Sequence, residues 1–533
     1  MCKLSKVECI GLALVVVAAM ALPGLADESL QIELQEDRAA DWQLRDGDWC
    51  FGDGELEQQD FLRGSAAILN EPVFADFRMS VEFNIRPLGD GVRAAAVIFR
   101  ATGTRTFYWL HFDSESSCAI LVLSRPGKSW NGIARKSAAV VQDNWHKLTL
   151  TCRGPQIDVA LDGQPVLAVE DKTLASGRIG LGTSQGRVAF RNLQIEGEPV
   201  PAAGPLADEP LPYQIISRGE AAGTYQAFPD VCRLPDGDLL CVFYAGYGHV
   251  SLPNETWPRG GRICAVRSSD EGRTWSEPQV LFDGPQDDRD PHIAATRDGT
   301  LWCSFFQYRV VEGKTEFDTC LVRSRDGGKT WDTEPRVLAA NRWAVSAPLR
   351  ELSVGTLVLG AYTANDSTAH GAVLRSTDGG DTWSEPVAID PDSPVRLDAE
   401  TDVVQLSDGR LLAALRGDRV NMHYATSPDL GLTWSKVSDI GFAGHCPHLT
   451  RLSSGEILLT HRLPNTALHI SRDDGASWQG PFEIDAVIGA YASTVELKDH
   501  TVLVVYYEEG DASAIRAARF RVTADGIEQI GWK

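Results

Sequence analysis

Ser324-Arg325-Asp326-Gly327-Gly328-Lys329-Thr330-Trp331 is the stretch that decides the fold. The same pattern, Ser-x-Asp-x-Gly-x-Thr/Ser-Trp, stands at Ser268–Trp275, Ser376–Trp383, Ser427–Trp434 and Ser471–Trp478, which makes five copies. In such a box the Asp accepts backbone N–H groups of its own turn and the Trp packs between strands, so the motif speaks to architecture and not to chemistry. Ahead of each copy lies a β-hairpin pattern: an extended stretch, a turn such as Asp236-Gly237, Asp298-Gly299 or Asp408-Gly409, then an apolar strand. A sixth hairpin, without a box, surrounds Asp499-His500. Six such units predict an all-β six-bladed propeller over residues 213–533.

Upstream, five prolines lie between Gly197 and Pro212 with no periodic apolar pattern, so residues 198–212 read as a semi-rigid linker. Residues 27–197 alternate apolar and polar positions in short runs, such as Phe77–Phe83 and Lys147–Cys152, separated by turns such as Asp162-Gly163. This predicts a β-sandwich. Tyr108, Trp109 and Trp130 are its candidates for stacking on a sugar, against the alternative that they are core. Residues 1–26 read as a signal peptide: Lys3 and Lys6, an apolar Ile10–Leu22, then Gly24 and Ala26 as small residues before a cut near Asp27. The expected destination is the periplasm or the medium. No later segment is long and apolar enough for membrane insertion. With 50 Lys and Arg against 73 Asp and Glu, a net charge of −23 disfavours nucleic acid as a partner. The nine cysteines beyond residue 26 include Cys241 and Cys303 at equivalent strand positions, which the third repeat fills with Leu359. They read as buried thiols rather than disulfides. No metal-ligand spacing is present, and no cofactor is expected.

Counting back from the turn of each hairpin locates the functional end. Eight residues before it stand Phe228, Asp290, Ser346, Glu400, Cys446 and Tyr491, and six before it stand Asp230, His292, Pro348, Asp402, His448 and Ser493. Residues two apart share a face of a strand, so both sets should line one end of the central channel. Eight residues beyond the turn stand Tyr244, Phe306, Tyr362, Arg416, Arg462 and Tyr507. A hairpin returns these to the same end, while the boxes fall at the other.

Five Asp boxes on six blades resemble the sialidase (neuraminidase) superfamily. Within the sandwich, the run from Ile157 through Gly180-Leu181-Gly182 to Ile195 is similar to the closing strands of concanavalin-like or laminin-G-like domains. The sialidase resemblance extends to single residues. Ala490-Tyr491-Ala492-Ser493 followed by Tyr507-Glu508 resembles the segment carrying the nucleophilic Tyr and a later Glu, and Glu400 resembles the Glu that deprotonates that Tyr. Arg416, sixteen residues after Glu400, and Arg462, twenty-nine before Tyr491, resemble two of the three arginines that hold the sugar carboxylate. A phenol becomes a useful nucleophile when a carboxylate takes its proton, and guanidiniums bind a carboxylate by charge-assisted bonds. The implied reaction is exo-acting hydrolysis of an acidic sugar through a covalent glycosyl-Tyr, with retention.

The sequence departs from the family at two places. Ala227 stands where the first arginine belongs, and Leu239–Ser269, the stretch where the family carries its acid, has no Asp. Glu255 and His249 on that loop, and Asp290 in the channel, are the alternatives for the acid. Asp230, His292, Asp402 and His448 are expected either to contact the substrate, a glycan, or to tie neighbouring blades. The competing function is a non-catalytic carbohydrate-binding propeller.

Overall fold

The computed structural model describes residues 29–59, 63–86, 93–126, 131–184, 186–202, 204–219, 221–363, 370–397, 400–417, 419–487, 489–509 and 513–532. The expected signal peptide and Trp130 lie outside them. Strand dominates, as the alternating runs predict, and no described helix is long and apolar enough to cross a membrane.

The first part is a sandwich of two antiparallel sheets. Phe77–Arg86 shows why: Phe77, Met79, Val81 and Phe83 point inward and are buried, while the residues between them stay at least partly exposed. This strand lies between His146–Arg153 and Arg187–Glu196. Across the core, Ala94–Ala101 lies between Phe107–Asp113 and Gly177–Ser184 in the second sheet. Phe77, Phe83, Phe99, Tyr108 and Phe112 fill the space between the sheets. Tyr108 donates its hydroxyl to Asp171 and Trp109 is buried, so both are core and neither presents a face for a sugar. The segment read as a linker is fastened to this domain. Leu206 packs with Ile98, Phe107 and Trp109, and the Glu209 carboxylate accepts bonds from Arg105 N at 2.8 Å and Thr106 Oγ1 at 2.6 Å.

The second part is a six-bladed propeller of antiparallel sheets. The inner strands are Tyr225–Arg233, Asp287–Ala295, the pair Trp343–Ala344 and Arg350–Glu351, Thr401–Gln405, His445–Arg451 and Ala490–Glu496. Tyr213–Ser217 pairs with Ile515–Thr523, so a strand from before the first blade completes the last and closes the ring. In each box the Asp is held by its turn; Asp378, for example, accepts from Thr382 N at 2.9 Å and from Ser376 Oγ at 2.8 Å. The box tryptophans are half-buried rather than buried; Trp275 and Trp331 pack against apolar clusters to which two neighbouring blades contribute. The cysteines Cys50, Cys118, Cys152, Cys232, Cys241, Cys264, Cys303, Cys320 and Cys446 are all free thiols.

Boxes and Asp-Gly turns share one end of the channel: Arg267, just before the first box, pairs with Asp236 and, at 2.6 Å, with Asp238 of the turn. A cavity of about 860 Å³ opens there, lined by Arg233, Arg297, Arg350 and Arg451 among others. Each of these cations is paired with a carboxylate, from Glu271, Glu351, Asp402 and Asp474 respectively. That mouth is large but has its charges spent on itself.

Candidate active site

The opposite mouth is built by a backbone device. In four of the six inner strands the pairing slips by one residue, between Ala227 and Asp230, Arg289 and His292, His445 and His448, and Ala490 and Ser493. Each slip contains a non-glycine residue with positive φ: Phe228 at 54°, Asp290 at 50°, Cys446 at 56° and Tyr491 at 41°. Side chains other than glycine rarely adopt this conformation, and its cost is tolerated at sites that need a side chain re-aimed. The four residues are those found eight before the turn. Their neighbours at the slips then pair with the returning strands, Ala227 with Tyr244, Arg289 with Phe306, His445 with Arg462 and Ala490 with Tyr507.

Tyr491 donates its hydroxyl to Glu400 Oε1 at 2.5 Å. Arg416 donates to the same oxygen at 2.8 Å, and Cys446 N donates to Oε2 at 2.8 Å. Glu400 is only 2% exposed. Burial alone would raise its carboxyl; Arg416, the Tyr491 bond, Arg462 and the Cys446 N–H outweigh that and bring it down to about 2. Burial, with the carboxylates of Glu400 and Asp290 nearby, raises the Tyr491 phenol well above its ordinary value. The resting pair is therefore a neutral phenol on an ionised carboxylate. The Arg462 guanidinium lies 5.8 Å from the centre of the Tyr491 ring.

Asp290 accepts Ser346 Oγ on Oδ2 at 2.9 Å, while its buried Oδ1 makes no hydrogen bond and lies 4.0 Å from Arg289 Nε. Burial raises its carboxyl. Next to it, Arg289 is 7% exposed and its Nε has no hydrogen-bond partner. Its guanidinium lies 5.4 to 5.9 Å from the centres of the Phe228, Tyr244, Phe306 and Tyr308 rings. Phe228 in turn packs 4.8 Å from Tyr491 and 5.4 Å from His249.

Deeper in the channel, Asp230 accepts from Val231 N at 2.8 Å, from Ile293 N of the second blade at 2.8 Å and from Ser493 of the sixth. His292 Nδ1 and His448 Nε2 lie 3.3 and 3.5 Å from it. Asp402 repeats the arrangement, accepting from Val403 N, from Leu449 N of the fifth blade at 2.7 Å and from Arg350 of the third. Both carboxylates bond across blades, so their lone pairs are occupied by the protein itself.

Residues 262–504 match the BNR repeat-like domain, and residues 34–196 match the 3-keto-alpha-glucoside-1,2-lyase-like domain. The propeller is thus a BNR-like domain that has a sialidase among its homologues. A sialidase of Micromonospora viridifaciens is 28% identical over 380 residues, which take in 62% of this chain and 56% of that protein. The chain thus spans little more than half of the length of that relative. Among solved structures, a protein of unknown function from Dyadobacter fermentans has a TM-score of 0.49 at 24% identity, covering 58% of this chain and 97% of its own. The NanB sialidase of Streptococcus pneumoniae has a TM-score of 0.49 at 14% identity, covering 84% and 95%.

In this BNR-like propeller the sequence-predicted residues fall into three groups. Tyr491, Glu400, Arg416 and Arg462 come together at one mouth with Asp290. Asp230, Asp402, His292 and His448 sit deeper, in ties between blades. Glu255 is exposed on its loop, and no bond to a mouth residue is seen among the described residues. Glu508, which matches the later Glu in the resemblance, pairs with Arg516. The acid facing the mouth is instead its neighbour Glu509, which accepts from Tyr225 at 2.8 Å and Tyr507 at 2.5 Å. Arg289 was missed as well. Its signal was the Asp-Asp-Arg-Asp run at 287–290, a charge cluster on an inner strand where apolar residues are expected.

Proposed function

We propose that the chain is an exported, exo-acting glycoside hydrolase that removes an acidic sugar with retention of configuration. One observation carries the reading: the Tyr491 hydroxyl is bonded to the buried, ionised Glu400 at 2.5 Å. Tyr491 is the nucleophile and Glu400 its base. Because the phenol is neutral at rest, it approaches an anomeric carbon bearing a carboxylate without repulsion. Its proton moves to Glu400 as positive charge develops at that carbon, since the raised phenol and lowered carboxyl make an earlier transfer uphill.

The substrate carboxylate is read by Arg462 and Arg416. Arg416 also donates to Glu400, so it lies beside the nucleophile's base. Arg289 supplies a third positive charge from the second blade. Its position over Phe228, the residue after Ala227, places it beside the point where the family's first arginine is lacking. The Arg289 Nε makes no hydrogen bond and has Asp290 Oδ1 4.0 Å away, so a substrate carboxylate would supply the hydrogen bond that this pair lacks. This favours an acidic sugar over a neutral one.

Proton NMR of the product during turnover of aryl glycosides of sialic acid and of uronic acids tests the reading. The anomer released first should have the configuration of the substrate, and Tyr491→Phe should abolish release. Release of the opposite anomer, or rapid turnover of neutral glycosides alone, would contradict it.

A further inference from the structure

We propose that His249 is the group that protonates the departing oxygen and then activates water; this rests on the hydrolase reading above. His249 lies on the loop between Leu239–Gly246 and Arg262–Ser268 of the first blade. Three bonds fix that loop: Tyr247 N to Ser251 Oγ at 3.0 Å, Ser251 N to Asp287 Oδ2 at 3.0 Å, and Gly261 N to Ser251 O at 2.8 Å. The imidazole stands edge-on to Phe228, 5.4 Å between ring centres, and Tyr491 packs on the same ring at 4.8 Å. Acid and nucleophile therefore flank one aromatic side chain.

The hydrogen bonds decide which ring nitrogen holds the proton. The Tyr225 hydroxyl has one hydrogen and gives it to Glu509 Oε1 at 2.8 Å. The 2.9 Å contact between Tyr225 Oη and His249 Nδ1 must then be donated by the nitrogen. Nε2 is left over, with no partner among the described residues, on a side chain 56% exposed. Glu509 Oε1 lies 3.6 Å from Nδ1, so a carboxylate faces the ring when it carries its second proton. Burial would raise the Glu509 carboxyl, but the bonds from His249, Tyr507 and Tyr225 bring it down to about 2, so it stays ionised. A histidine fixed through one nitrogen by a carboxylate network, with the other nitrogen open beside a nucleophile, is arranged for proton transfer. The other carboxylates are worse placed. Asp287 is occupied by Tyr244 and Ser251, Asp290 is buried and bonded to Ser346, and Glu255 is exposed with no bond to the mouth among the described residues.

In the first step the Tyr491 oxygen bonds to the anomeric carbon and its proton passes to Glu400. The bond from that carbon to the departing oxygen breaks, the electron pair stays on the oxygen, and the Nε2 proton of His249, which enters this step as the imidazolium, joins it and leaves the Nδ1–H ring. In the second step water attacks the same carbon and gives its proton to His249. Tyr491 then leaves, recovering its own proton from Glu400.

The experiment compares alkyl and 4-nitrophenyl glycosides of whichever acidic sugar the unaltered protein cleaves, using His249→Ala and His249→Gln. A 4-nitrophenolate leaves without help, whereas an alkoxide needs a proton. Both variants should lose about 10²- to 10⁴-fold on the alkyl glycoside and at most about tenfold in the first step on the aryl one. Sodium azide, which needs no base, should restore aryl turnover and yield a glycosyl azide of retained configuration. Equal losses on both glycosides, no loss on the alkyl one, or no azide product would overturn the assignment while leaving the hydrolase reading in place. If the unaltered protein cleaves no acidic glycoside at all, the hydrolase reading fails and takes this assignment with it.

Discussion

Replacing Asp230 by Asn separates two roles for the deep channel residues. Asp230 is fully buried and its oxygens accept from Val231 N, Ile293 N and Ser493, beside His292 and His448. Asn keeps the shape but turns one acceptor into a donor facing an N–H or a hydroxyl, and it removes the charge that the histidines face. Breaking a buried charged arrangement by losing one partner costs about 3 to 5 kcal/mol. Taking roughly 3 kcal/mol and about 2 to 4 °C per kcal/mol for a domain of this order, the melting temperature should fall by about 6 to 12 °C at pH 7. The difference should depend on pH in a set direction. Burial raises the Asp230 carboxyl, but the His292 and His448 contacts more than reverse this and hold it well below its ordinary 3.8. A lowered folded value gives stability that is complete above the ordinary value and is lost as pH falls below it. The gap between the two proteins should therefore be constant above about pH 5 and shrink by about 1.4 kcal/mol for each pH unit below about 4. Differential scanning calorimetry at pH 7, 4 and 3 measures this. A variant that melts with the unaltered protein but no longer binds or cleaves glycans would refute the tie and return Asp230 to substrate contact.

Glu400→Gln should keep the fold and lower kcat by about 10²- to 10⁴-fold, since the phenol loses its base; steady-state kinetics with circular dichroism check both. Arg462→Ala removes one charge-assisted contact worth about 1.5 to 3 kcal/mol and should weaken binding of an acidic-sugar inhibitor by about ten- to a hundredfold or somewhat more, with neutral glycosides unaffected in calorimetric titration. Trp383→Ala should destabilise by about 1 to 3 kcal/mol rather than the larger cost of a fully buried ring, because that side chain is half-buried, and the surviving folded protein should keep its turnover. N-terminal sequencing of exported material should begin near Asp27; an intact Met1 on such material would contradict the signal reading.

The legible part of this molecule is what short sequence stretches encode on their own. A Ser-x-Asp-x-Gly-x-Thr-Trp turn makes its bonds within itself, as Asp326 does with Ser324 Oγ and Thr330 N, so it can be read without knowing its neighbours. Equal counts from the Asp-Gly turns were enough to bring Arg416 and Arg462 to the mouth with Glu400 and Tyr491. What escaped reading depends on contacts far apart in the chain or on backbone geometry that side chains do not announce. Tyr213–Ser217 carries no sign that it will close the last blade against Ile515–Thr523. Phe228, Asp290, Cys446 and Tyr491 adopt positive φ although none is a glycine, so strict alternation misses the slip that aims them. Glu509, one position beyond the Glu508 of the resemblance, is the acid that bonds Tyr225 and Tyr507. Arg289 became visible only when its strand was set beside Phe228 of the neighbouring blade.

Trapping the covalent intermediate tests the central claim most directly. A fluorinated acidic-sugar analogue with a good leaving group forms the glycosyl-enzyme quickly and releases it slowly. After incubation and proteolysis, mass spectrometry should find the sugar on the phenolic oxygen of Tyr491 in the unaltered protein and no adduct in Tyr491→Phe. Attachment to any other residue, or inactivation of Tyr491→Phe at the same rate as the unaltered protein, would contradict the assignment of Tyr491 as the nucleophile.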